Sequence, residues 1–189
     1  MGAFNTRFGK DGMKNQFRQA IPALTLAIVF MVFISACVDR HWIEYKADDG
    51  SFIVSFPVTP TKSIKTANTV LGPIDVTIYA AEENHLAYLV ATGEYPADLV
   101  KQADHAGMLN DARDGAVANV QGNLMSEEIF NLNGNPGREL KIAVLGGKGI
   151  VRCKVVLVAN RLYQVIVAGP SDKAYAPEVR QFLDSFSLL

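Results

Sequence analysis

The sequence is poor in the residues that most often carry chemistry. Two cysteines in 189 residues exclude a scaffold built on disulfides, the device of exported domains whose cores are thin. Three histidines leave little material for a metal site. His41, His85 and His105 match no spacing that would bring two imidazoles to one helix face. The motif Gly-x-Ser-x-Gly, which marks one common hydrolase nucleophile, is absent. Charge of one sign is lacking too: 18 Lys and Arg stand against 19 Asp and Glu, a formal net charge of −1. That balance argues against a nucleic-acid binder relying on bulk positive charge. There is one tryptophan, Trp42, which is expected to pack against the domain edge. No internal repeat or low-complexity stretch is found. With 49% apolar and 20% charged residues, a mostly disordered chain is excluded.

What is present begins with a leader, residues 1–36. Arg7, Lys10, Lys14 and Arg18, against Asp11 alone, precede an uncharged and mostly apolar stretch over residues 20–36. A basic stretch, an apolar stretch and then small residues is the layout of a secretory signal. The apolar stretch is short for a spanning helix, which needs about 20 residues, and Pro22 weakens a straight one. Ile34-Ser35-Ala36-Cys37 resembles the lipobox of bacterial lipoproteins: an aliphatic residue, two small residues and a cysteine. Small side chains give a peptidase access to the backbone, and the thiol of Cys37 is the group on which a diacylglyceryl anchor is built. At about 0.8 kcal/mol per buried methylene, two or more acyl chains anchor stably where one does not. Two other readings stand beside it, an uncleaved membrane anchor and a plain signal peptide cut elsewhere. All three place residues 38–189 outside the cytoplasm, because the preceding positive charges stay inside. Val38, rather than an aspartate, follows the cysteine; in a cell with an outer membrane, the resemblance implies sorting there, facing the periplasm. Residues 37–48 are expected to be the lipidated N-terminus and a tether, with residues 41–47 open to a second reading as a first edge strand.

Residues 49–189 read as a single α+β domain. Phe52, Val54 and Phe56 alternate on a strand closed by Pro57 and Pro60. Residues 62–69 suit an edge strand. Ile74, Val76, Ile78 and Ala80 face one way, and Asp75, Thr77 and Tyr79 the other. Residues 86–91 are apolar on both faces, which predicts a central strand covered on both sides. Over residues 104–120 the apolar positions Met108, Leu109, Ala112, Ala116, Val117 and Val120 recur at spacings of three and four, predicting a helix. Asp104 is its expected N-cap and Gly122 its expected stop. Strands return over residues 124–132, 138–144, 150–159 and 162–168, with hairpin turns at Asn133-Gly134, Gly146-Gly147 and Asn160-Arg161. Pro177 opens a last helix with Val179, Phe182, Leu183 and Phe186 as its buried stripe. Hairpin-linked strands with interspersed helices make an antiparallel sheet of six to seven strands flanked by two main helices.

These residues also resemble a known family. The run Asp49-Gly50-Ser51-Phe52-Ile53-Val54-Ser55-Phe56-Pro57 with Pro60, then Leu71-Gly72-Pro73, the long helix and the closing helix are similar to PsbP-like domains. So is the second half, with Pro136-Gly137-Arg138-Glu139, Asn160-Arg161-Leu162-Tyr163 and Phe182-Leu183-Asp184-Ser185-Phe186. The resemblance implies an α/β/α sandwich, shared with a Ran-binding nuclear protein and with DcrB-like bacterial lipoproteins. It implies a non-enzymatic domain for protein interaction or assembly, and it supplies no catalytic residue. No motif here matches the photosystem, Ran or metal binding of particular members.

The remaining candidates for chemistry are read as structural. Cys153, beside Val151 and Val155 on a strand, is expected to be a buried, inert thiol. The histidines are expected at the surface. Glu82-Glu83 and Glu127-Glu128 are neighbours on strands and point to opposite faces, so neither is a ready acid–base dyad. Gly146-Gly147-Lys148-Gly149 lacks the full phosphate-loop spacing and a following helix and is expected to be a turn. Arg138, Lys141, Lys148, Arg152, Lys154 and Arg161 gather in the late strands; a modest basic patch and a solvated sheet face are both open. The reading that follows is a lipid-anchored cell-envelope protein that is not an enzyme, with no cofactor and no metal. Its expected partners are the membrane, through Cys37, and an unknown envelope protein, with no nucleic acid. An alternative is a binder of small apolar or lipid ligands in a groove between sheet and helix, since there are more apolar faces than one helix would cover. An envelope hydrolase ranks last.

Overall fold

The computed structural model describes residues 41–69 and 72–189. The leader, Cys37 and Leu71 therefore lie outside the described residues. Among the described residues, two antiparallel sheets and three α-helices make up the fold. The large sheet has seven strands in the order β3-β4-β5-β9-β8-β7-β6. They are β3 (Thr61–Thr69), β4 (Gly72–Glu83), β5 (Leu86–Glu94), β6 (Asn123–Leu132), β7 (Asn135–Val144), β8 (Gly149–Val158) and β9 (Arg161–Pro170). The small sheet, β1 (Ile43–Lys46), β2 (Phe52–Phe56) and β10 (Ser187–Leu188), is ordered β1-β2-β10. The helices are α1 (Ala97–Val100), α2 (His105–Asn119) and α3 (Pro177–Ser185). This is the expected α+β class, and β3 is the expected edge strand.

Each sheet face has its own core, as the two-residue period of a strand requires. On the first face, Tyr79, Tyr88, Val156, Tyr163 and Val165 meet Phe52, Val54 and Phe56 of the small sheet and Val179, Phe182 and Phe186 from α3 and just after it. Rings dominate this layer: Phe56 and Phe182 centroids are 5.1 Å apart, Tyr88 and Phe182 5.2 Å, Phe52 and Phe186 5.3 Å. These are distances at which offset and edge-on pairs attract. On the second face, Leu140, Ile142, Val151, Cys153 and Val155 are covered by Met108 and Leu109 of α2 and by Val100.

Several expectations shift. Of the two readings of residues 41–47, the edge strand holds for 43–46: β1 pairs with β2 from Ile43↔Phe56 to Lys46↔Ile53. Ala47 is buried and Trp42 stands edge-on to Tyr88 at 5.8 Å. The folded unit therefore starts before residue 49, inside the stretch expected to be tether. Asp104 caps α2 as expected, accepting from the Ala106 and Gly107 amides at 3.0 Å each. The helix stops at Asn119, ahead of Gly122, with Gln121 rather than a glycine in the left-handed region at φ 49°. Gly122 is needed for a different reason: a Cβ there would lie 2.4 Å from Ile142 Cγ2 and 2.8 Å from the Ala143 carbonyl oxygen. Finally, β5 is covered on one side only. Leu86, Tyr88 and Val90 are buried, while Ala87, Leu89 and Ala91 on the other face are only partly covered. The reason is width: α2 lies over β7 and β8, and one helix of about 10 Å diameter spans roughly two strands of ~4.8 Å spacing.

Candidate functional site

The uncovered half of the second face forms a trough of about 560 Å³ between α2 and the β3–β4 hairpin. Its floor is laid by register. Ile78 of β4 pairs with Ala91 of β5, which pairs with Gln164 of β9. One step along, Val76, Gly93 and Leu162 stand in a row, and Leu89 pairs with Ile166. Gly93 keeps the middle of the floor low, because a Cβ there would meet Ile74 Cδ1 at 3.0 Å and Val76 Cγ2 at 3.3 Å. The helix wall is Ala112, Gly115 and Ala116, side chains too short to reach across. A Cβ on Gly115 would meet nothing within 4 Å. This explains why only Met108 and Leu109 of α2 are buried: the predicted apolar stripe continues along the helix, but its second half overlooks open space.

Polar side chains stand among the apolar ones, on β3 (Thr66, Asn68, Thr69), on the floor (Thr92, Gln164) and on α2 (Asn119). Gln164 places a primary amide in the middle of the apolar floor. Tyr95 contributes a hydroxyl held protonated above its ordinary range, first by burial and then by the nearby charge of Asp111. The charged residues of the trough are Lys65 and Asp111, one of each sign.

The residues singled out by sequence are placed differently. Cys37 lies outside the described residues. Cys153 is buried on β8 at 1% exposure, and burial pushes its thiol up to about 12, so at neutral pH it is not a thiolate. His41, His85 and His105 are all exposed, as expected, and no cluster of His, Cys, Asp or Glu suited to a metal occurs among the described residues. Gly146 and Gly147 form the expected turn, both at positive φ. Glu127 points toward α2, 3.1 Å from Arg113 Nη1.

The basic cluster is the clearest correction. Neither a free basic patch nor a solvated face describes most of it, because Arg138, Arg152, Lys154 and Arg161 are paired across elements, while Lys148 stays exposed at its turn. Arg152 bonds Glu139. Lys154 donates to the Leu183 carbonyl at 3.1 Å and to Asp184 Oδ1 at 2.6 Å. Arg161 reaches Asp49 at 2.5 Å and Glu94 through Nε at 2.9 Å, and Lys141 sits over the Tyr175 ring at 4.2 Å. Acidic partners from other segments, invisible to a strand-by-strand reading, neutralise Arg138, Arg152, Lys154 and Arg161. The trough itself is the feature that sequence pattern could announce only as a surplus of apolar faces.

No helix among the described residues is long and apolar enough to cross a membrane. No family model matches the sequence, and no curated protein matches it. Solved structures do. A crystal structure of PA94, a protein of unknown function from Pseudomonas aeruginosa, is matched over 75% of this chain and 92% of its own at 13% identity and a TM-score of 0.36. The solution structure of cyanobacterial PsbP (CyanoP) from Synechocystis is matched over 82% of this chain and 99% of its own, at 12% identity and a TM-score of 0.57. The chain thus has a PsbP-like α+β fold.

Proposed function

We propose that the chain is a lipid-anchored cell-envelope protein whose folded domain is a non-catalytic interaction or assembly module. The observation that carries the domain half is where its reactive and charged side chains are used. Cys153 is sealed in the core, and Arg152, Lys154 and Arg161 are tied into ion pairs that join distant elements. The PsbP-like fold supports the same reading. The anchor half rests on the basic–apolar leader ending in Ile34-Ser35-Ala36-Cys37, and Val38 favours the outer membrane where the cell has one. The test is Cys37→Ser: the mature mass changes by the lost acyl groups and the retained leader, and the protein's membrane extraction behaviour changes. An unchanged mass refutes lipidation. For the module, cross-linking in intact membranes is expected to trap one reproducible envelope protein; repeated failure to trap any counts against it.

The trough favours a second reading, a binder of small apolar ligands. Its volume lies within the range of about 300–1,000 Å³ typical of small-molecule sites.

A further inference from the structure

Resting on that second reading, we infer that the trough binds an electrically neutral, single-chain lipid. Its hydrocarbon lies along the β4–β5–β9 floor, and its hydroxyl or ester group meets the amide of Gln164.

Four features converge on this occupant. First, the floor is a sheet face with aliphatic side chains left partly uncovered in the middle of a domain, at Val76, Ile78, Leu89 and Ile166. Water over such a floor is unfavourable, and hydrocarbon replaces it favourably. Second, the wall is built to stay open: Ala112, Gly115 and Ala116 line it, and Gly115 faces space. A glycine inside a helix lowers helix stability relative to alanine, so its presence at this wall position keeps room that any larger side chain would take. Third, the volume of about 560 Å³ suits a small molecule. Fourth, the electrostatics select a neutral guest. Lys65 and Asp111 are of opposite sign, so the trough offers no net charge to a carboxylate or an ammonium group. The central polar group is an amide, which donates and accepts. Among the described residues no hydrogen bond is made by the Gln164 side chain. An uncharged hydroxyl or ester supplies the partner it lacks, whereas an ion would have to reach the exposed Lys65 or Asp111 instead.

The experiment uses the full chain held in polymer discs cut from its own membranes. Two probes with the same photoactivatable sixteen-carbon chain, on the order of the span of the trough given ~3.4 Å per strand residue, are compared. One is a monoacylglycerol, which is neutral; the other is the free fatty acid. The neutral probe is expected to label peptides from β4, β5 or α2. Gly115→Leu fills the wall and is expected to reduce that labelling at least tenfold. Its thermal melt should stay at or above that of the unsubstituted chain, because glycine leaves a helix interior. Ala112→Leu, on the same wall, repeats the test should Gly115→Leu fold poorly. Preferential labelling of these peptides by the fatty acid overturns the neutral-lipid assignment and leaves the ligand reading standing. Labelling by neither probe, or labelling of the trough unchanged by both substitutions, overturns the assignment and the reading together. Cross-links from the trough to a protein, with no probe labelling, overturn both in favour of a docking groove.

Discussion

Lys154→Met separates the two uses to which a strand lysine can be put. On a free basic surface Lys154 would contribute to binding anionic lipid and little to stability. The structure instead places its ammonium at the C-terminal end of α3, donating to the Leu183 carbonyl at 3.1 Å and to Asp184 at 2.6 Å. Its side chain is 18% exposed, while Asp184 is 50% exposed. The bond to the carbonyl is charge-assisted and largely shielded, worth roughly 1.5–3 kcal/mol. A cation at a helix C-terminus adds about 0.3–1 kcal/mol. The half-exposed pair with Asp184 adds at most about 1 kcal/mol after screening. Methionine keeps the aliphatic stem against the Phe130 ring, which lies under the ammonium at 5.7 Å, so the loss is confined to the charge. The expected cost is about 2–5 kcal/mol in total. At roughly 2–4 °C per kcal/mol for a domain of this size, the melting temperature should fall by about 4–20 °C. Asp184→Asn leaves the carbonyl bond in place and should cost less than half as much. The assay is a thermal melt of each variant beside co-sedimentation with anionic vesicles. A melt unchanged within about 2 °C, or a loss of vesicle binding without loss of stability, would refute the capping role.

Two further outcomes follow from the packing and the charges. Gly122→Ala pushes a methyl group into Ile142 and into the backbone at Ala143, so it should destabilise by about 1–3 kcal/mol, read as a lower urea midpoint in pulse proteolysis; an unchanged midpoint contradicts the close approach. For Asp49, burial opposes the charge, but hydrogen bonds from Ser51 and from Arg161 outweigh it and hold its carboxyl below the ordinary 3.8. A depressed folded-state value stabilises above the unfolded one and fades as pH falls through the folded one. The melting-temperature gap between the wild type and Asp49→Asn should therefore be constant at neutral pH and close below 3.8; a gap that persists undiminished well below that pH sinks the assignment.

Much of the fold could be read from local pattern. The two-residue alternation of β7, β8 and β9, the Asp104 cap and the Val179–Phe182–Leu183–Phe186 stripe each sit in one short segment and act there. What could not be read depends on segments meeting across the chain. Phe52–Phe56 looks like any strand of the main sheet, yet it pairs with β1 and with Ser187–Leu188 instead. The partners of Arg152, Lys154 and Arg161 lie 13, 30 and 112 residues away at Glu139, Asp184 and Asp49. The trough was visible only as an imbalance. Leu89 and Ala91 are as apolar as Tyr88 and Val90, and sequence pattern carries no signal that one α2 is too narrow to cover them.

The small sheet also ties the two ends of the described chain together. β2 finds β1 within a few residues, but its other neighbour, β10, is nearly the whole chain away. Phe52 and Phe56, fully buried in the finished structure, are covered by Phe182 and Phe186. Closing so long a loop is slow, because its entropy cost precedes the contacts that repay it. The first aromatic layer therefore cannot be completed without residues 182–188, whereas the second core draws only on residues between 95 and 168.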